Sequence, residues 1–290
     1  MEGFDATFQC GHQPAFDDVP TQHRHHLFGV DYVHLRGPQG GDLYVTRFGW
    51  PVAEYLLPGK WFAGQEFSKV GRALAGATGA VYRVPVVHPV TRRLALVVKF
   101  SRFGQDTNVT VVDPELRCDT QLARRIANAQ FLPPFEEFGN LVQLRRSPGP
   151  LIRTKQPLAI YSPPTRYLDW ELGRSAHLLS LYAQQLSHWQ TTRPESELIR
   201  YNPDRMYILL YRWTKGIDAV QACADGFLST AEMEKLTHVT RECFMKKGWI
   251  VLDHKPGHII VRPSCKEHSL IRRHGEIVWA LIDYELLFPL

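Results

Sequence analysis

Two short segments near the C-terminus contain the residues best suited to chemistry. Asp253 and Asp283 each follow a run of apolar, strand-forming residues. Lys255 lies two positions after the first aspartate, and His258 lies five positions after it. Phosphoryl transfer needs one carboxylate to orient the attacking hydroxyl, another to hold a divalent cation, and a lysine near the phosphates. The residue types of these two segments meet that requirement.

These polar residues should meet at one end of a β-hairpin. Residues 259–261 and 277–282 have the composition of strands, and Gly275 and Glu276 supply a turn before the second one. His258 then lies just before the first strand and Asp283 just after the second, so both reach the same end. An imidazole and a carboxylate in that position could bind a divalent cation. Either aspartate alone could also be a simple strand-end residue.

A glycine-rich turn and a strand lysine occur far upstream. Gly76 and Gly79 lie in a segment of small residues that joins two expected strands, where backbone N–H groups could approach phosphate oxygens. The segment lacks the G-x-x-x-x-G-K-[ST] pattern and is followed by a strand, which argues against a P-loop or a dinucleotide site. A tight turn without a ligand is the alternative.

Lys99 ends the apolar run 94–100, where a buried lysine would need an acidic partner. Glu115 is the candidate partner, in the first turn of a helix that should begin at Asp113 and Pro114. Two alternatives remain open. Lys99 could face solvent from an edge strand, and Glu115 could simply be a residue that stabilises the N-terminus of its helix through the helix dipole.

The sequence predicts an α+β chain. Helices are expected over 113–131, where Pro133 and Pro134 would end the first of them, over 170–189, and over 229–247, where Ser229 and Glu232 form a capping box. Strands are expected over 80–84, 94–100, 141–144 and 206–211. Residues 1–40 read as an irregular extension followed by a possible strand at 42–48, and residues 145–166 as a loop or short strands.

Composition narrows the functional classes. A chain of 290 residues with 44% hydrophobic and 22% charged residues can bury a large core and is not disordered. The net charge of +5 comes from scattered basic residues, so nucleic-acid binding is not expected. The sequence shows no signal peptide and no apolar run of about 18 residues. We therefore expect a soluble, cytoplasmic protein without a membrane partner.

The cysteine and histidine content does not indicate a metal centre by its spacing. Five widely spaced cysteines without a C-x-x-C pair favour reduced thiols. A cluster near the N-terminus could supply zinc ligands, although its spacing favours an exposed histidine-rich loop. Its members are Cys10, His12, His23, His25 and His26.

Taken in order, these motifs resemble those of the protein-kinase-like superfamily. Residues 74–81 resemble G-x-G-x-x-G-x-V, with Leu74 in place of the first glycine. Residues 96–99 resemble V-A-I-K, residues 253–258 resemble D-L-K-P-E-N, and residues 283–285 resemble D-F-G. Tyr211 and Trp213 fall where the hinge that receives adenine is expected. The likeness extends over residues 67–285.

The resemblance implies a two-lobed α+β fold that binds ATP between a β-rich N-lobe and a reduced helical C-lobe. The implied regions are an extension over 1–65, an N-lobe with a helical insertion over 66–210, and a hinge and shortened C-lobe over 211–290. The implied cofactors are ATP and Mg²⁺, or Mn²⁺. The implied reaction is transfer of the γ-phosphoryl group to a hydroxyl of a protein or small molecule.

The resemblance also implies a role for each matching residue. Asp253 would orient the acceptor hydroxyl, Lys255 would offset charge on the γ-phosphate, and Asp283 would hold the metal. His258, which replaces a metal-binding asparagine, would be the second metal ligand. Nucleotide contacts would come from Gly76, Gly79, Lys99 held by Glu115, Tyr211 and Trp213.

Departures from the family pattern leave other functions open. Val251 replaces a histidine, Glu285 replaces the glycine of D-F-G, and only seven residues follow Asp283. Either the sequence is part of a longer chain, or the substrate platform comes from the first 65 residues, from the helical segment around 168–190, or from a partner protein. One alternative is a pseudokinase that binds a nucleotide or a partner without catalysis. Another is nucleotidyl transfer on the same scaffold.

Overall fold

The computed structural model describes residues 13–37, 40–74, 80–87, 94–107, 123–124, 127–192, 201–264 and 269–290. These residues form a mixed α+β structure dominated by antiparallel sheet. The chain divides into two compact units. Unit 1 comprises Met1–Asp106, Pro133–Gly139 and Gln156–Trp213, and unit 2 comprises Thr107–Leu132, Asn140–Lys155 and Thr214–Leu290.

Unit 1 is built on one eight-stranded sheet in which all neighbouring strands are antiparallel. Its strands are β1 (Arg24–Leu27), β2 (Val30–Arg36), β3 (Asp42–Thr46), β4 (Arg72–Ala73), β5 (Val81–Val86), β6 (Leu94–Phe100), β7 (Pro157–Ser162) and β8 (Ile208–Arg212). Their order across the sheet is β1-β2-β3-β7-β8-β6-β5-β4. The strand that carries Lys99 therefore lies between β5 and β8.

A layer of short helices covers one face of this sheet. Trp50, Leu56 and Trp61 are buried in one core with residues of β3, β6 and β8. The layer consists of α1 (Ala53–Leu56), α2 (Glu66–Lys69) and the 3-10 helices Phe16–Asp18, Thr21–His23, Trp50–Val52 and Pro58–Lys60. Residues 13–37, which we expected to belong to an irregular extension, thus supply β1, β2 and two of the 3-10 helices, and the strand expected at 42–48 is confirmed as β3.

Both units are discontinuous in sequence, and the N-terminal region contributes strands to unit 1. The composition of the N-terminal region obscured its strands, because histidine and aspartate occupy many of their outward positions. In β2, Val33 and Leu35 are buried in the core on one face, and Tyr32 is buried on the opposite face against the ring of Phe135, so the strand shows no simple alternation of apolar and polar residues.

Helix α3 (Pro134–Arg146) corrects two sequence predictions. Pro134 opens this helix instead of ending the preceding one, because proline is tolerated in the first turn, where its missing N–H is not needed. Residues 141–144, predicted as a strand, lie within the helix. Leu141 and Leu144 are buried three positions apart with Gln143 exposed between them, which is helical spacing. The prediction of a strand at 141–144 is therefore wrong.

Helix α4 (Ala176–Thr192) follows the 3-10 helix Asp169–Leu172 and matches the helix predicted over 170–189. Strand β6 and strand β8 are likewise confirmed. The helix predicted from Asp113 onward lies almost entirely outside the described residues.

The described residues of unit 2 include the second half of α3, two further helices and three small antiparallel sheets. The helices are α5 (Ala219–Ala224) and α6 (Thr230–Lys246), with a 3-10 turn at Pro256–His258. The strands are β9 (Ile217–Asp218), β10 (Trp249–Val251), β11 (Ile259–Val261), β12 (Arg272–Arg273), β13 (Glu276–Ile277), β14 (Trp279–Leu281) and β15 (Leu287–Pro289). The sheets are β14-β11-β9, β10-β15 and β12-β13.

The capping box predicted for α6 is confirmed. Ser229 Oγ accepts a hydrogen bond from the Glu232 backbone N–H at 3.2 Å, and Glu232 Oε2 accepts one from the Ser229 N–H at 2.9 Å. The described helices include none with both the length and the apolar character needed to cross a membrane.

A close backbone contact fixes the first half of α3. A Cβ atom built on Gly139 would lie 2.5 Å from the carbonyl oxygen of Phe28, in the turn between β1 and β2. Alanine normally stabilises a helix interior relative to glycine by about 1 kcal/mol. At this position we expect the opposite sign, because a backbone carbonyl cannot move aside as a flexible side chain can. Gly139→Ala should lower the free energy of unfolding by roughly 1–3 kcal/mol.

Thermal and urea unfolding would measure this effect. The exposed Gln143→Ala variant on the same helix is the control and should unfold like the wild type. A Gly139→Ala protein that is as stable as the wild type would show that the contact with Phe28 is not tight.

Candidate functional site

Lys99 forms a buried ion pair. Its Nζ lies 3.0 Å from Glu137 Oε1, and the two side chains are only 8% and 2% exposed. The expectation that Lys99 requires an acidic partner is confirmed, and the solvent-facing alternative is wrong. The partner in the described part of the chain is Glu137, in the first turn of α3. Glu115, the predicted partner, lies outside the described residues.

Tyr211 contacts the same carboxylate oxygen. Its phenolic O–H donates to Glu137 Oε1 at 2.5 Å, and its buried ring packs against Phe138 with the ring centroids 5.1 Å apart. The side chain thus faces α3. The place of Tyr211 in the hinge that receives adenine stays a prediction.

The strand register explains why these groups meet. Lys99 is paired with Leu209 and Val97 with Tyr211, so Lys99 and Tyr211 point to the same face of the sheet. Helix α3 begins against that face and presents Glu137. An acidic residue in a first helical turn is also favoured by the helix dipole.

Trp213 continues the antiparallel pairing beyond the end of β8. Its backbone N–H donates to Ala95 O at 2.9 Å, and the guanidinium of Arg83 lies 4.8 Å from the centre of its ring. This cation–π contact holds the indole beside β5. The role of Trp213 in binding adenine stays a prediction.

The predicted glycine turn is described only at its flanks. Strands β4 and β5 pair, and the Leu74 N–H donates to Val81 O at 2.9 Å, which confirms the strand–turn–strand arrangement. Gly76 and Gly79 lie outside the described residues.

In unit 2, Asp253 and Lys255 form an ion pair in the loop between β10 and β11. Lys255 Nζ donates to Asp253 Oδ2 at 2.9 Å, and both side chains are about one third exposed. Such an accessible pair contributes little to stability. Its two groups remain accessible for contact with a ligand.

The predicted hairpin of the second carboxylate is confirmed. Strands β11 and β14 are antiparallel, with Ile259 opposite Leu281. The Ile282 N–H donates to His258 O at 3.1 Å, and His258 Nε2 lies 3.6 Å from Asp283 Oδ2. His258 and Asp283 therefore lie at the same end of the hairpin.

Tyr284 anchors the segment that follows Asp283. Its hydroxyl accepts from the Lys155 backbone N–H at 3.0 Å and donates to Leu281 O, and its side chain is fully buried. Glu285 is also buried, and its carbonyl accepts from the Leu132 N–H at 2.9 Å. These bonds fix the backbone on both sides of Tyr284.

His254 is a site residue that sequence reasoning missed. Its Nε2 lies 2.9 Å from Thr240 Oγ1 and 3.1 Å from Thr237 O, both on α6. Because a carbonyl can only accept, Nε2 carries the ring proton. Burial lowers the pKa of His254 to about 4, so the ring is neutral near pH 7. No local sequence pattern marks His254 as buried, because its partners on α6 lie 14 and 17 positions away in the sequence.

The residues present fit a metal that arrives with a nucleotide better than a preformed metal centre. Within the described ranges, no group of three or more His, Cys, Asp or Glu side chains could hold a metal ion. Magnesium is commonly held by one or two carboxylates together with substrate phosphates and water. Asp283 can supply one such carboxylate, and the imidazole of His258 suits Mn²⁺ better than Mg²⁺.

The N-terminal histidines are placed differently from a zinc site. His26 Nδ1 lies 2.7 Å from Asp31 Oδ1, and the ring of His25 meets the edge of the His34 ring. Cys10 and His12 fall in the part of the chain that the structure does not describe.

Comparison with known proteins adds no assignment. No protein-family model matches the sequence, and no curated protein sequence matches it.

Removing the ammonium of Lys99 should lower the free energy of unfolding substantially. Lys99→Met leaves the Glu137 carboxylate buried opposite an apolar side chain, so we expect a loss of about 3–5 kcal/mol in unfolding free energy. The double variant Lys99→Met/Glu137→Gln should recover much of this loss, because the remaining amide is neutral. Chemical denaturation of the wild type and both variants, with the exposed Lys60→Met as control, measures the difference. Equal stability of Lys99→Met and Lys60→Met would contradict the burial of the pair.

His254 should make the protein sensitive to acid. The unfolded chain binds a proton at this residue near pH 6.5, whereas the folded chain does so only near pH 4. Stability is therefore lost as the pH falls from 6.5 towards 4, by up to about 3 kcal/mol from this residue.

The variant His254→Gln isolates this contribution. Its amide can still donate to Thr237 O but does not titrate in this range. The difference in unfolding free energy between wild type and variant should change between pH 7 and pH 4. A constant difference over that range would show that His254 is not buried in its neutral form.

Proposed function

We propose that this protein is an ATP-dependent phosphotransferase with a kinase-like two-lobed fold and a reduced helical C-lobe. It would transfer the γ-phosphoryl group to a hydroxyl of a protein or small molecule. The observation that carries the proposal is the buried ion pair between Lys99 on β6 and Glu137 in the first turn of α3. In the protein kinases, a strand lysine held by a helix glutamate contacts the nucleotide phosphates.

A structural explanation of this ion pair is weaker. A buried salt bridge contributes little net stability, because desolvation of both groups offsets their attraction. An apolar pair of similar volume would serve packing as well. A use that requires a positive charge at a fixed position, such as binding α- and β-phosphates, accounts for the presence of Lys99.

The loop after β10 supplies groups for the transfer itself. Asp253 would accept a hydrogen bond from the acceptor hydroxyl and orient it for attack. Lys255, 2.9 Å from that carboxylate, would offset negative charge on the γ-phosphate. His254 ties the loop to α6, so the backbone that carries both side chains is held in place.

The end of the β11–β14 hairpin supplies the metal-binding groups. Asp283 would hold Mg²⁺ through its carboxylate, and His258 would favour Mn²⁺ as a second ligand. The bound ion would neutralise negative charge on the phosphate oxygens. Tyr284 keeps the Asp283 backbone fixed through its two hydrogen bonds.

A nucleotide-binding or partner-binding pseudokinase is the second candidate. It is favoured by the contact between His258 and Asp283, which places an imidazole where the kinase pattern has an asparagine. We also propose a cytoplasmic location and a protein partner as one source of the substrate platform.

Replacing Asp283 tests the proposal directly. Asp283→Asn keeps the size of the side chain and removes its charge, so metal-dependent ATP turnover should fall by about a hundred-fold or more. Asp225→Asn, an exposed substitution in unit 2, is the control and should retain full turnover. Phosphate release with Mg²⁺ and with Mn²⁺ would be measured for all three proteins.

The outcomes separate the candidates. Turnover that depends on Asp283 supports the phosphotransferase, and turnover that survives Asp283→Asn refutes the role of this residue. A metal-dependent thermal shift with ATP but no turnover in the wild type supports the pseudokinase. The intact mass of the modified acceptor distinguishes a transferred phosphoryl group from a transferred nucleotidyl group.

A further inference from the structure

We propose that Tyr211 is a positioning residue that fixes Glu137 and, through it, the ammonium of Lys99 for nucleotide binding. This inference rests on the proposed function and deepens it. The phenol donates to Glu137 Oε1 at 2.5 Å, and the same oxygen accepts from Lys99 Nζ at 3.0 Å. Tyr211 thus acts on the nucleotide only through the ion pair.

The chemistry of the contact suits this role. A hydrogen bond from a phenol to an ionised carboxylate is short and stronger than a bond between neutral groups. Glutamate and lysine side chains are flexible, and holding either in one rotamer costs up to about 2 kcal/mol of conformational entropy. A second donor on Glu137 Oε1 restricts the carboxylate, which in turn restricts Lys99.

Tyr211 is also a rigid support. It has two side-chain torsions, its backbone belongs to β8 next to the strand of Lys99, and its ring packs on Phe138 of α3. The sheet and the helix therefore both determine where the phenolic oxygen lies.

Two other buried tyrosines in unit 1 differ from Tyr211. The hydroxyl of Tyr207 accepts from the Asn202 backbone N–H at 2.9 Å, and that of Tyr201 accepts from the Phe135 N–H at 2.9 Å. Both of these bonds join a ring to the backbone, as expected of groups that stabilise the fold. The bond from Tyr211 to Glu137 instead joins its ring to a charged side chain. Tyr207→Phe is therefore a matched control for Tyr211→Phe.

The test is a double-mutant cycle on nucleotide affinity. The dissociation constant of ATP with Mn²⁺ is measured by calorimetry for the wild type, Tyr211→Phe, Lys99→Met and the double variant. We expect Tyr211→Phe to weaken binding about ten-fold in the wild type, because a hydrogen bond to a charged group is lost. In the Lys99→Met background it should have almost no effect, because the residue through which it acts is gone.

Equal weakening by Tyr211→Phe in both backgrounds would overturn the proposal, and so would equal weakening by Tyr207→Phe. If Lys99→Met does not fold, Lys99→Met/Glu137→Gln replaces it, since that variant leaves no buried charge at the pair and also lacks the ammonium through which Tyr211 acts.

Failure of the proposed function gives a different result. A wild type that does not bind ATP refutes that function, and a second cycle then tests the contact itself. Melting temperatures are compared for Tyr211→Phe, Glu137→Gln and their combination. Shifts that are clearly not additive support the coupling of Tyr211 with Glu137, and additive shifts overturn it.

Discussion

An ammonium group within a sheet requires an acidic partner at a fixed position, and much of unit 1 is arranged to provide one. Lys99 lies on β6 between β5 and β8, where its side chain is shielded from water. Helix α3 has to start where its first turn reaches that side chain, and β8 has to present Tyr211 to the same oxygen. Since an unpaired buried charge costs several kcal/mol, the strand register and the start of the helix are constrained together.

The need of Lys99 for a partner could be read from the sequence, but the identity of the partner could not. A lysine that ends an apolar strand is a local pattern. Its partner Glu137 lies 38 residues further along the chain, beyond a nearer candidate acid. Pro133 and Pro134 fit the end of one helix as well as the start of the next. Packing against the sheet determines that a helix starts at Pro134, and such tertiary packing cannot be deduced from local propensity.

The same distinction holds in unit 2. The hairpin that brings His258 towards Asp283 was predictable, because both strands are close in sequence and their ends define the geometry. His254 was not, because a histidine in a polar loop looks exposed until α6 supplies its acceptor. Tyr284 lies in the segment 283–285 that resembles D-F-G, but that resemblance does not predict the hydrogen bond between its hydroxyl and the distant Lys155 N–H. Pairing between strands that are close in sequence can thus be predicted from the sequence, whereas burial of a side chain against a distant element cannot.

The contact between Gly139 and Phe28 also bears on motion. Glu137 lies two residues before this glycine, and the carbonyl of Phe28 leaves no room for a side chain between the helix and the β1–β2 turn. Phe28 itself adopts a positive φ of 51°, a conformation that few residues other than glycine occupy. A rotation of α3 about its axis, which would swing Glu137 away from Lys99, would replace Gly139 at that contact with a residue that has a side chain, for which the turn leaves no room. The turn between β1 and β2 therefore restricts rotation of α3, and this restriction favours the contact between Glu137 and Lys99.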